Sequence, residues 1–427
     1  MRVHRDGAYA AAALDAELDR ALQLDERDRA LATALAYGAL RYGKWLEESL
    51  GRHATRGLNR LDAHAHAHLV VAAYQLLVLT RIPPFAAVNE AVTAIREKRG
   101  DRVSAFANAV LRKIAGEPKP TAEDLVHAVL ASIDPWLARA IERAVGRQPA
   151  LALLGVGEEA PPIGLRVEDP TQRETWLTKL RAARPDVRFE AGRVSPHAIL
   201  GRGAGRIVDL PGYPEGAWTP QEEGSQVVAL ALGANAGDTI LDACAGRGNK
   251  TGLLARAVKS GSVDAADLHA KKLERLREEL SRIGVAPRET AAVDWSVGPG
   301  LLRGPYDRVL VDAPCSGTGT LRRRPEILLR RCEKDVVELV RLQRDIVTRA
   351  AALVRPGGRL VYAVCSVLVE EAEAVVASVL ATPDLGLSAA PFDAPAISRM
   401  KPNAASLRLL PHEHGTDGYF IASFVKK

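Results

Sequence analysis

The second half of the chain alternates short apolar runs with longer amphipathic segments, and this alternation restricts the fold more than any other feature. Apolar runs at 239–245, 263–268, 307–314 and 359–366 are separated by stretches with helical spacing of apolar residues. Continuous apolar strands that alternate with helices are typical of a parallel sheet covered on both faces. We therefore predict a doubly wound α/β domain with a mostly parallel sheet over residues 233–427.

The first part of the chain has a different pattern. From Ala8 to about Ala115 apolar residues recur at three and four spacing, and Gly51, Pro83-Pro84 and Gly100 stand where helices are expected to stop. This pattern predicts a domain of five to seven helices within residues 1–125.

Residues 126–232 predict a linker region and a small domain. A linker at 117–120 and a helix around 136–145 lead to a proline-rich break at 160–162. The β-like runs IGLRVE, DVRFEA, HAILG and RIVDL then surround one helical segment, TWLTKLRAARP. We expect a small α+β domain here, which makes the chain a three-domain protein.

Composition and charge describe an ordinary folded protein and leave its partner open. The apolar share is 47% and the charged share 26%, so neither wholesale disorder nor a fibrous repeat fits. The net charge of +6 tolerates a polyanionic partner without proving one. The longest apolar stretch, 69–79, is too short to span a bilayer, and acidic residues interrupt the N-terminal segment where a signal peptide is apolar. We expect a cytoplasmic protein, not bound to a membrane, whose four cysteines are thiols.

A glycine-containing turn at 244–250, CAGRGNK, follows the first strand of the predicted sheet. Such sheets bind ligands at the carboxyl ends of their strands, and an acidic residue about 20 positions further on suits a ribose with free hydroxyls. Asp267 ends the second strand at that spacing. Asn249 and Cys244 stand where a Walker-type ATP loop requires glycines, so that loop is rejected. The pattern favours a nucleoside-containing cofactor over a tight turn that binds nothing.

Two cysteines follow neighbouring strands of the same predicted sheet. Cys315 lies in DAPCSGTGT and Cys365 in YAVCS, so both thiols face the crevice of the cofactor loop. A buried structural role is the commoner explanation for one cysteine, but two at adjacent strand ends, with Asp312 three residues before one of them, favour chemistry. Cys332 has no such neighbours and is interpreted as structural.

Methylation of a pyrimidine at C5 requires a thiol of this kind. C5 of cytosine is too weak a nucleophile to attack a sulfonium methyl group, but a thiolate added to C6 makes C5 enamine-like. The reaction also needs an acid or hydrogen-bond donor near N3 and a base that removes the C5 proton. Asp312 is a candidate for the acid, provided that the cleft raises its pKa, and the second thiol is a candidate for assisting release. The residues alone do not say which cysteine is the nucleophile.

Several motifs resemble a known family. DACAGRGNKT, DAPCSGTGTLRRRPE, VYAVCSVLVEEAE and DGYFIASF are similar to motifs of the Nol1/Nop2/Sun family of RNA cytosine-5 methyltransferases. The segments RDRALATALAYGALRYGKWLEESL, YQLLVLTRIPPFAAVNEAV and NAVLRKI resemble a NusB-type RNA-binding domain. The resemblance covers nearly the whole chain. It implies a Rossmann-like class I methyltransferase domain, an RRM-like middle domain and a monomer that methylates C5 of a cytidine in small-subunit (16S) ribosomal RNA.

The same resemblance implies roles for single residues. Cys365 is similar to the family's nucleophile and Cys315 to the cysteine that helps to free the product. DNA cytosine-5 methyltransferases carry their nucleophile in a Pro-Cys motif like Pro314-Cys315, so the opposite assignment remains the alternative. The implied cofactor is S-adenosylmethionine, with Asp267 on the ribose and Asp294 near the adenine. The implied cofactor-binding residues are Cys244, Ala245, Gly246, Arg247, Gly248, Asn249, Lys250, Asp267, Asp294 and Asp312.

The chain departs from the family's pattern at three places. Gly246-Arg247-Gly248-Asn249 replaces Ala-Pro-Gly-Gly in the cofactor loop, and Val364 stands where threonine is usual. Asparagine can adopt left-handed backbone angles, so we expect the turn to be retained. Glu168, where asparagine usually follows Leu-Arg-Val, leaves the detailed role of the middle domain open. None of these changes removes a residue that the chemistry needs.

Two clusters outside these motifs carry further expectations. His64, His66 and His68 alternate with alanine, but no carboxylate or cysteine cluster accompanies them, so we predict packed or solvated histidines and no metal site. The arginines after the first cysteine loop usually indicate a solvated face, but their place beside the crevice favours contact with the RNA backbone. The expected RNA-binding residues are Arg322, Arg323 and Arg324, together with Lys250, which the resemblance places near the target base.

Two other functions stay open from the sequence. One is a non-catalytic NusB-like RNA-binding or antitermination factor with a degenerate methyltransferase fold, against which the intact Cys315, Cys365 and Asp312 argue. The other is methylation of another RNA or of DNA cytosine, and the NusB-like domain makes the DNA substrate the weaker choice.

Overall fold

The computed structural model describes residues 10–21, 23–54, 57–155 and 161–427. The chain divides into two compact units. The first contains the described residues up to Arg139 together with 154–155 and the segment Leu321–Cys332. The second contains Ala140–Leu153, Pro161–Thr320 and Glu333–Lys427. The segment that follows the first cysteine loop is therefore grouped with the N-terminal helices.

The N-terminal part is helical, as its spacing of apolar residues predicts. Its helices are α1 (Ala10–Leu18), α2 (Glu26–Arg41), α3 (Gly43–His53), α4 (Ala63–Leu77), α5 (Pro84–Ala115) and α6 (Ala122–Ala131), followed by α7 (Pro135–Val145) and α8 (Arg147–Leu154). The predicted start of the pattern at Ala8, and Ala160 of the proline-rich break, lie outside the described residues.

Local sequence explains where several of these helices begin and break. Asp62 caps α4 by accepting hydrogen bonds from two backbone amides, and Thr121 forms a capping box with Asp124 at the start of α6. Gly100 interrupts α5 with a φ of 75°, which confirms the predicted break there. The predicted stop at Gly51 is wrong, because α3 continues through it to His53.

The middle of the chain forms a small antiparallel sheet with one helix. Its elements are β1 (Ile163–Val167), α9 (Arg173–Ala183), β2 (Arg188–Ala191), β3 (Ala198–Arg202) and β4 (Trp218–Pro220), and the strand order is β2-β3-β1-β4. This is the split βαβ arrangement with a 3₁₀ turn at Ile207–Asp209 in place of a second helix. The prediction of a strand at RIVDL is therefore wrong, and β4 was not predicted.

The last part of the chain is the doubly wound domain. Its strands are β5 (Thr239–Asp242), β6 (Ser262–Asp267), β7 (Glu289–Ala292), β8 (Tyr306–Asp312), β9 (Val354–Val364), β10 (Leu387–Ala389), β11 (Ser406–Leu409) and β12 (Tyr419–Lys426). Its helices are α10 (Glu223–Ala231), α11 (Asn249–Val258), α12 (Ala270–Arg282), α13 (Glu333–Ala352), α14 (Glu373–Leu380), α15 (Pro395–Met400) and α16 (Pro411–His414). These elements confirm the predicted α/β class.

The topology of this sheet locates its ligand-binding edge. The strand order is β10-β12-β9-β8-β5-β6-β7, with β11 beside β12. The strands from β9 to β7 along this order pair in parallel, and β10, β11 and β12 form an antiparallel edge. The chain leaves β5 in one direction and returns through β8 in the other, so the switch point lies between β5 and β8. Open α/β sheets bind ligands at the carboxyl ends of the strands at such a point.

Alternate residues of the central strands face opposite helical layers. Val309 and Val311 pack with α13 and α14, whereas Leu310 packs with α10 and α11. Burial on both faces explains why these strands read as continuous apolar runs. Within the described residues, no helix combines the length and the apolar character that spanning a membrane requires.

Candidate active site

The cofactor loop predicted at 244–250 connects β5 to α11. Gly246 and Gly248 have φ values of 58° and 89°, which only glycine adopts at little cost. Gly248 caps α11, and a Cβ atom there would lie 2.8 Å from Leu276. Asn249 is the first residue of the helix, so the turn is retained because the left-handed angles fall on the glycines and not on Asn249.

Asp267, at the end of β6, fixes this loop through its backbone. Its carboxylate accepts hydrogen bonds from the amides of Gly246, at 3.1 Å, and His269, at 2.9 Å. Asp294 lies exposed after β7, where it accepts hydrogen bonds from the amide and hydroxyl of Ser296. The side-chain and backbone hydrogen bonds from Ser296 lower the pKa of Asp294. The two carboxylates predicted for the nucleoside therefore follow β6 and β7, on the side of the sheet that begins at the cofactor loop.

Trp295, which the sequence analysis did not select, is hydrogen-bonded to the backbone directly before the cofactor loop. Trp295 is buried, and its indole N–H donates a 2.7 Å hydrogen bond to the carbonyl oxygen of Ala243. A tryptophan directly after a candidate ligand residue was the available signal. The buried Trp295 therefore connects Asp294, its neighbour in sequence, to the start of the cofactor loop.

Two departures from the family's pattern meet at the start of α11. Arg166, only 1% exposed in β1, donates to Glu168 at 2.6 Å and to the carbonyl oxygen of Asn249. Arg256 donates to the other oxygen of Glu168 at 3.1 Å. The side-chain amide of Asn249 donates to the carbonyl oxygen of Pro220 in β4. Glu168 and Asn249 are thus parts of one buried polar contact between the small sheet and the cofactor loop.

The two predicted cysteines lie side by side. Cys315 follows β8 and Cys365 follows β9, and their Sγ atoms are 3.3 Å apart. The hydrogen bond with Cys365 and burial raise the pKa of Cys315 well above its ordinary value. Either sulfur can be the donor in this contact, and the raised pKa of Cys315 favours its protonated thiol.

Lys250 and Asp312 form an ion pair in the same crevice. Lys250 Nζ lies 2.6 Å from Asp312 Oδ2, and both side chains are largely buried. Burial opposes the charge on Lys250, but the Asp312 carboxylate and its hydrogen bond outweigh burial, so the pKa of Lys250 is raised. The charges of Asp242 and Cys365 act on the pKa of Lys250 in the same direction as Asp312.

The other cysteines occupy different surroundings. Burial and the nearby carboxylates of Asp242, Asp312 and Asp267 raise the pKa of Cys244 well above its ordinary value, so its thiol keeps its proton. Cys332 is exposed, in contrast to the structural role expected from its sequence context.

The final strand contacts the first cysteine loop through two glycines. Gly418 N donates to the carbonyl oxygen of Gly319 at 2.8 Å, and a Cβ atom on Gly319 would lie 1.9 Å from the oxygen of Gly418. Gly319 N in turn donates to the carbonyl oxygen of Cys365. No side chain fits between these backbones, so the DGYF motif is part of the support for the cysteine loops.

The arginine run lies in the segment Leu321–Cys332, which belongs to the unit of the N-terminal helices. Arg41 in α2 donates to the carbonyl oxygen of Arg322 at 3.0 Å, and Arg322 is only 7% exposed. Arg323 and Arg324 are partly exposed. Arg323 and Arg324 are thus more accessible than Arg322, and contact of the three arginines with RNA remains a prediction.

The histidine run lies on α4. The rings of His64 and His68 contact edge to face with centroids 4.4 Å apart, and His66 lies 3.3 Å from Glu47. Burial, together with the charge of His64, lowers the pKa of His68. Over the described part of the chain, no group of three histidine, cysteine or acidic side chains is arranged to hold a metal ion.

A switch-point glycine turn, an acidic residue at the next strand end and a polar crevice beside them define a Rossmann-like site for a nucleoside-containing ligand. Comparison with known proteins narrows this class. The family model described as 16S rRNA methyltransferase RsmB/F matches residues 229–425, and the NusB family model matches residues 2–116. The ribosomal RNA small subunit methyltransferase B of Xylella fastidiosa is 34% identical over 403 residues, which cover 94% of this chain and 90% of the relative. The corresponding protein of Citrobacter koseri is 31% identical over 412 residues, with coverage of 95% and 92%.

Solved structures agree on the fold. The crystal structure of PH0851 superposes with a TM-score of 0.80 at 24% identity, covering 96% of this chain and 93% of that one. NSun6 from Pyrococcus horikoshii with SFG has a TM-score of 0.59 at 19% identity, over 70% of this chain and 99% of that one. The chain belongs to the ribosomal RNA small subunit methyltransferase B family, and it is an S-adenosylmethionine-dependent rRNA methyltransferase.

Proposed function

We propose that the protein methylates C5 of a cytidine in 16S ribosomal RNA through a covalent adduct between a cysteine and C6 of the base. The observation that carries this proposal is the pair of thiols 3.3 Å apart at the ends of β8 and β9, in the same crevice as the Lys250–Asp312 pair. A methyltransferase acting on an already nucleophilic nitrogen or oxygen needs no thiol, whereas C5 of cytosine does.

Cys365 is the proposed nucleophile and Cys315 the residue that assists release. The hydrogen bond with Cys365 and burial raise the pKa of Cys315, which disfavours Cys315 as the attacking thiolate. Its sulfur forms a bond to C6, and the electron pair that develops on the base is stabilised at N3 by a donor. After C5 has taken the methyl group, a base removes the C5 proton and the C6–S bond breaks.

The Lys250–Asp312 pair is the proposed source of stabilisation for the charge on the base. The ammonium group at 2.6 Å from Asp312 can donate a hydrogen bond to N3 directly, or it can pass a proton to Asp312, which then donates to N3 as the neutral acid. Such a donor acts best where it is fixed before the reaction and shielded from water. Lys250 is the second residue of the helix that follows the cofactor loop, so the same residue connects the cofactor side and the base side of the crevice.

The cofactor residues are proposed from the backbone that they shape. S-adenosylmethionine supplies a methyl group carried on a sulfonium ion. An added Cβ at Gly246 would lie within 4 Å of no other part of the described chain, so the loop leaves open space beside its backbone for the methionine end. Asp267 is proposed to bind the ribose, Asp294 to lie near the adenine, and residues 244–250 with Asp312 to complete the site.

The RNA is proposed to bind through the helical domain and the arginines beside it. The NusB family match and the names of the relatives support an RNA substrate, and those names specify the small ribosomal subunit. Arg323 and Arg324 are proposed to contact phosphates and Lys250 the target base. The base must be flipped or unpaired, because stacking shields C5 and C6. A monomer in the cytoplasm is the proposed working form.

The test is to incubate the protein with radiolabelled methyl donor and unmodified 16S RNA and to map the product at nucleotide resolution. We expect 5-methylcytosine at one position. A duplex DNA and an unrelated RNA of equal length are the matched controls, and a preference for either would replace 16S RNA as the substrate. Cofactor binding without 5-methylcytosine on any nucleic acid would support the non-catalytic RNA-binding alternative.

A further inference from the structure

A buried carboxylate lies beneath the two cysteine loops and has no part in the steps described above. Glu371, in the turn before α14, is 0% exposed. Its Oε1 accepts from the backbone amide of Ser316 at 2.8 Å and from Gln343 Nε2 at 3.0 Å, and its Oε2 accepts from the Ser316 hydroxyl at 2.5 Å. Three donors therefore converge on one buried side chain.

These donors surround Cys315 on both sides along the chain. Ser316 follows Cys315, and the carbonyl oxygen of Pro314, which precedes it, accepts a 2.9 Å hydrogen bond from the same Gln343 amide. Tyr362 of β9 donates to the carbonyl oxygen of Glu371 at 2.6 Å. The backbone on each side of Cys315 is thus tied to α13 and to the Glu371 turn.

The network also reaches the second cysteine loop. Ser366 follows Cys365, and its hydroxyl oxygen lies 3.2 Å from that of Ser316 and 3.0 Å from that of Thr318. Thr318 Oγ1 accepts from the amide of Val367 at 3.2 Å. The residue after each cysteine is a serine, and the hydroxyl groups of the two serines contact each other, with Ser316 also bonded to Glu371.

The hydrogen-bond partners of Glu371 favour a carboxylate at this position. A buried charge is costly unless hydrogen bonds satisfy it, and a side chain needed only to fill space would be apolar. Glutamine at this position keeps one oxygen for the Ser316 amide and Gln343, but its NH₂ group would force the Ser316 hydroxyl to accept where it now donates to a carboxylate. The network therefore selects an acceptor-only group that holds Ser316 by its main chain and its hydroxyl at once.

We infer that Glu371 is a positioning residue that holds the Cys315 loop so that its thiol contacts Cys365. This role deepens the proposed function and rests on it, because the contact matters only if both thiols act on one base. The charge of Glu371 also helps to raise the pKa of Cys315, after the larger effects of the Cys365 hydrogen bond, burial and the charge of Cys365. This effect of the charge favours the protonated thiol of Cys315, the residue that is proposed to assist release.

The test compares Glu371→Gln with Glu370→Gln in the full-length protein without RNA. Glu370 is the adjacent residue, but its partner is Arg143 at 2.5 Å, so it is a matched control for loss of a charge in the same turn. Each protein is treated with iodoacetamide, and peptide mass spectrometry gives the alkylation rate of every cysteine. The exposed Cys332 is the internal reference.

We expect the rate of Cys315 relative to Cys332 to rise about tenfold in Glu371→Gln, the effect of losing one charge-assisted hydrogen bond, and to stay unchanged in Glu370→Gln. We also expect kcat to fall with unchanged KM for the cofactor and RNA. An unchanged Cys315 rate in a folded Glu371→Gln protein would overturn the inference.

If Glu371→Gln does not fold, Ser316→Ala tests the positioning role of Glu371. It removes the 2.5 Å hydroxyl contact and keeps the amide contact, so we expect a smaller rise in the Cys315 rate. An unchanged rate there overturns the inference as well. The alkylation assay contains no RNA, so a failure to find 5-methylcytosine would overturn the proposed function without changing this result.

Discussion

The two halves of the crevice are held in place by different kinds of contact. On the cofactor side, after β5, β6 and β7, carboxylates accept hydrogen bonds from backbone amides: Asp267 from Gly246 and His269, and Asp294 from Ser296. On the cysteine side, after β8 and β9, the loops are joined by side chains from separate elements, with Glu371 and Gln343 at the centre.

This difference suggests how each half fails. A carboxylate that shapes a loop and faces a ligand controls affinity, because the reacting atoms lie elsewhere. A network that sets the distance between two thiols controls the rate of the chemical steps, because those thiols act on the base. A change in this network leaves the cofactor loop, and therefore the affinity for the cofactor, unaffected. Substitutions on the two sides are therefore expected to separate the dissociation constant of the cofactor from kcat.

The largest effect is expected on the cysteine side. Cys365→Ala removes the proposed nucleophile, so turnover is expected to fall by at least about 10³-fold while the Kd for S-adenosylmethionine stays within about twofold. Methyl-transfer assays and calorimetric titration measure the two quantities.

The matched substitution is Cys315→Ser. It leaves the proposed nucleophile and removes the thiol that assists release, so a covalent protein–RNA adduct is expected to accumulate on denaturing gels. An adduct that accumulates instead in Cys365→Ser would mean that the two cysteines exchange roles.

An intermediate effect is expected on the cofactor side. Asp267→Asn keeps an acceptor but loses the charge that the Gly246 amide and the proposed ribose contact use, so the Kd for S-adenosylmethionine is expected to rise about tenfold. At saturating cofactor, kcat is expected to remain near that of the unsubstituted protein. Asp209→Asn, at an exposed position of the small domain, is the control. A fall in kcat at saturation without a change in Kd would assign Asp267 to the chemical steps.

The smallest effect is expected at Asp242, under the start of the cofactor loop. Burial raises its pKa to about 6, and a hydrogen bond from Thr251 at 2.8 Å opposes this rise only in part. Because the folded pKa lies above the unfolded value, the contribution of Asp242 to stability is expected to fall as the pH rises from about 4 to about 6, by about 2 to 3 kcal/mol, and to stay constant at higher pH.

Asp242→Asn removes this titration and keeps an oxygen for Thr251. Thermal unfolding at pH 5 and pH 8 is therefore expected to show a stability gain for the variant that is larger at pH 8. A stability gain that is equal at both pH values, or larger at pH 5, would contradict the raised pKa of Asp242.

The same contrast explains how much the sequence predicts. The alternating runs predict the sheet, because strands that are buried on both faces have continuous apolar sequences. The glycine turn and Asp267 are local features with a characteristic spacing, and the structure joins them by a hydrogen bond of 3.1 Å. The two cysteines are found together because parallel strand ends meet at one edge.

Other parts of the site have no local signature. Glu371, Gln343 and Ser316 are brought together only by the packing of α13 against β8 and β9, so no spacing rule identifies them. The 3₁₀ turn at Ile207–Asp209 has the composition of a strand but finds no strand partner there. The segment Leu321–Cys332 was assigned with its neighbours in sequence, and the structure groups it with the N-terminal helices.

The central claim is that Cys365 attacks C6 of a cytidine and that C5 is then methylated. The most direct measurement uses 16S RNA in which cytidine is replaced by 5-fluorocytidine. Fluorine cannot leave C5 as the proton does, so the C6–S bond persists after methyl transfer. With S-adenosylmethionine present, the account predicts a covalent complex whose RNA-linked peptide contains Cys365. A complex linked through Cys315, or no covalent complex from a protein that methylates the unmodified RNA, would contradict it.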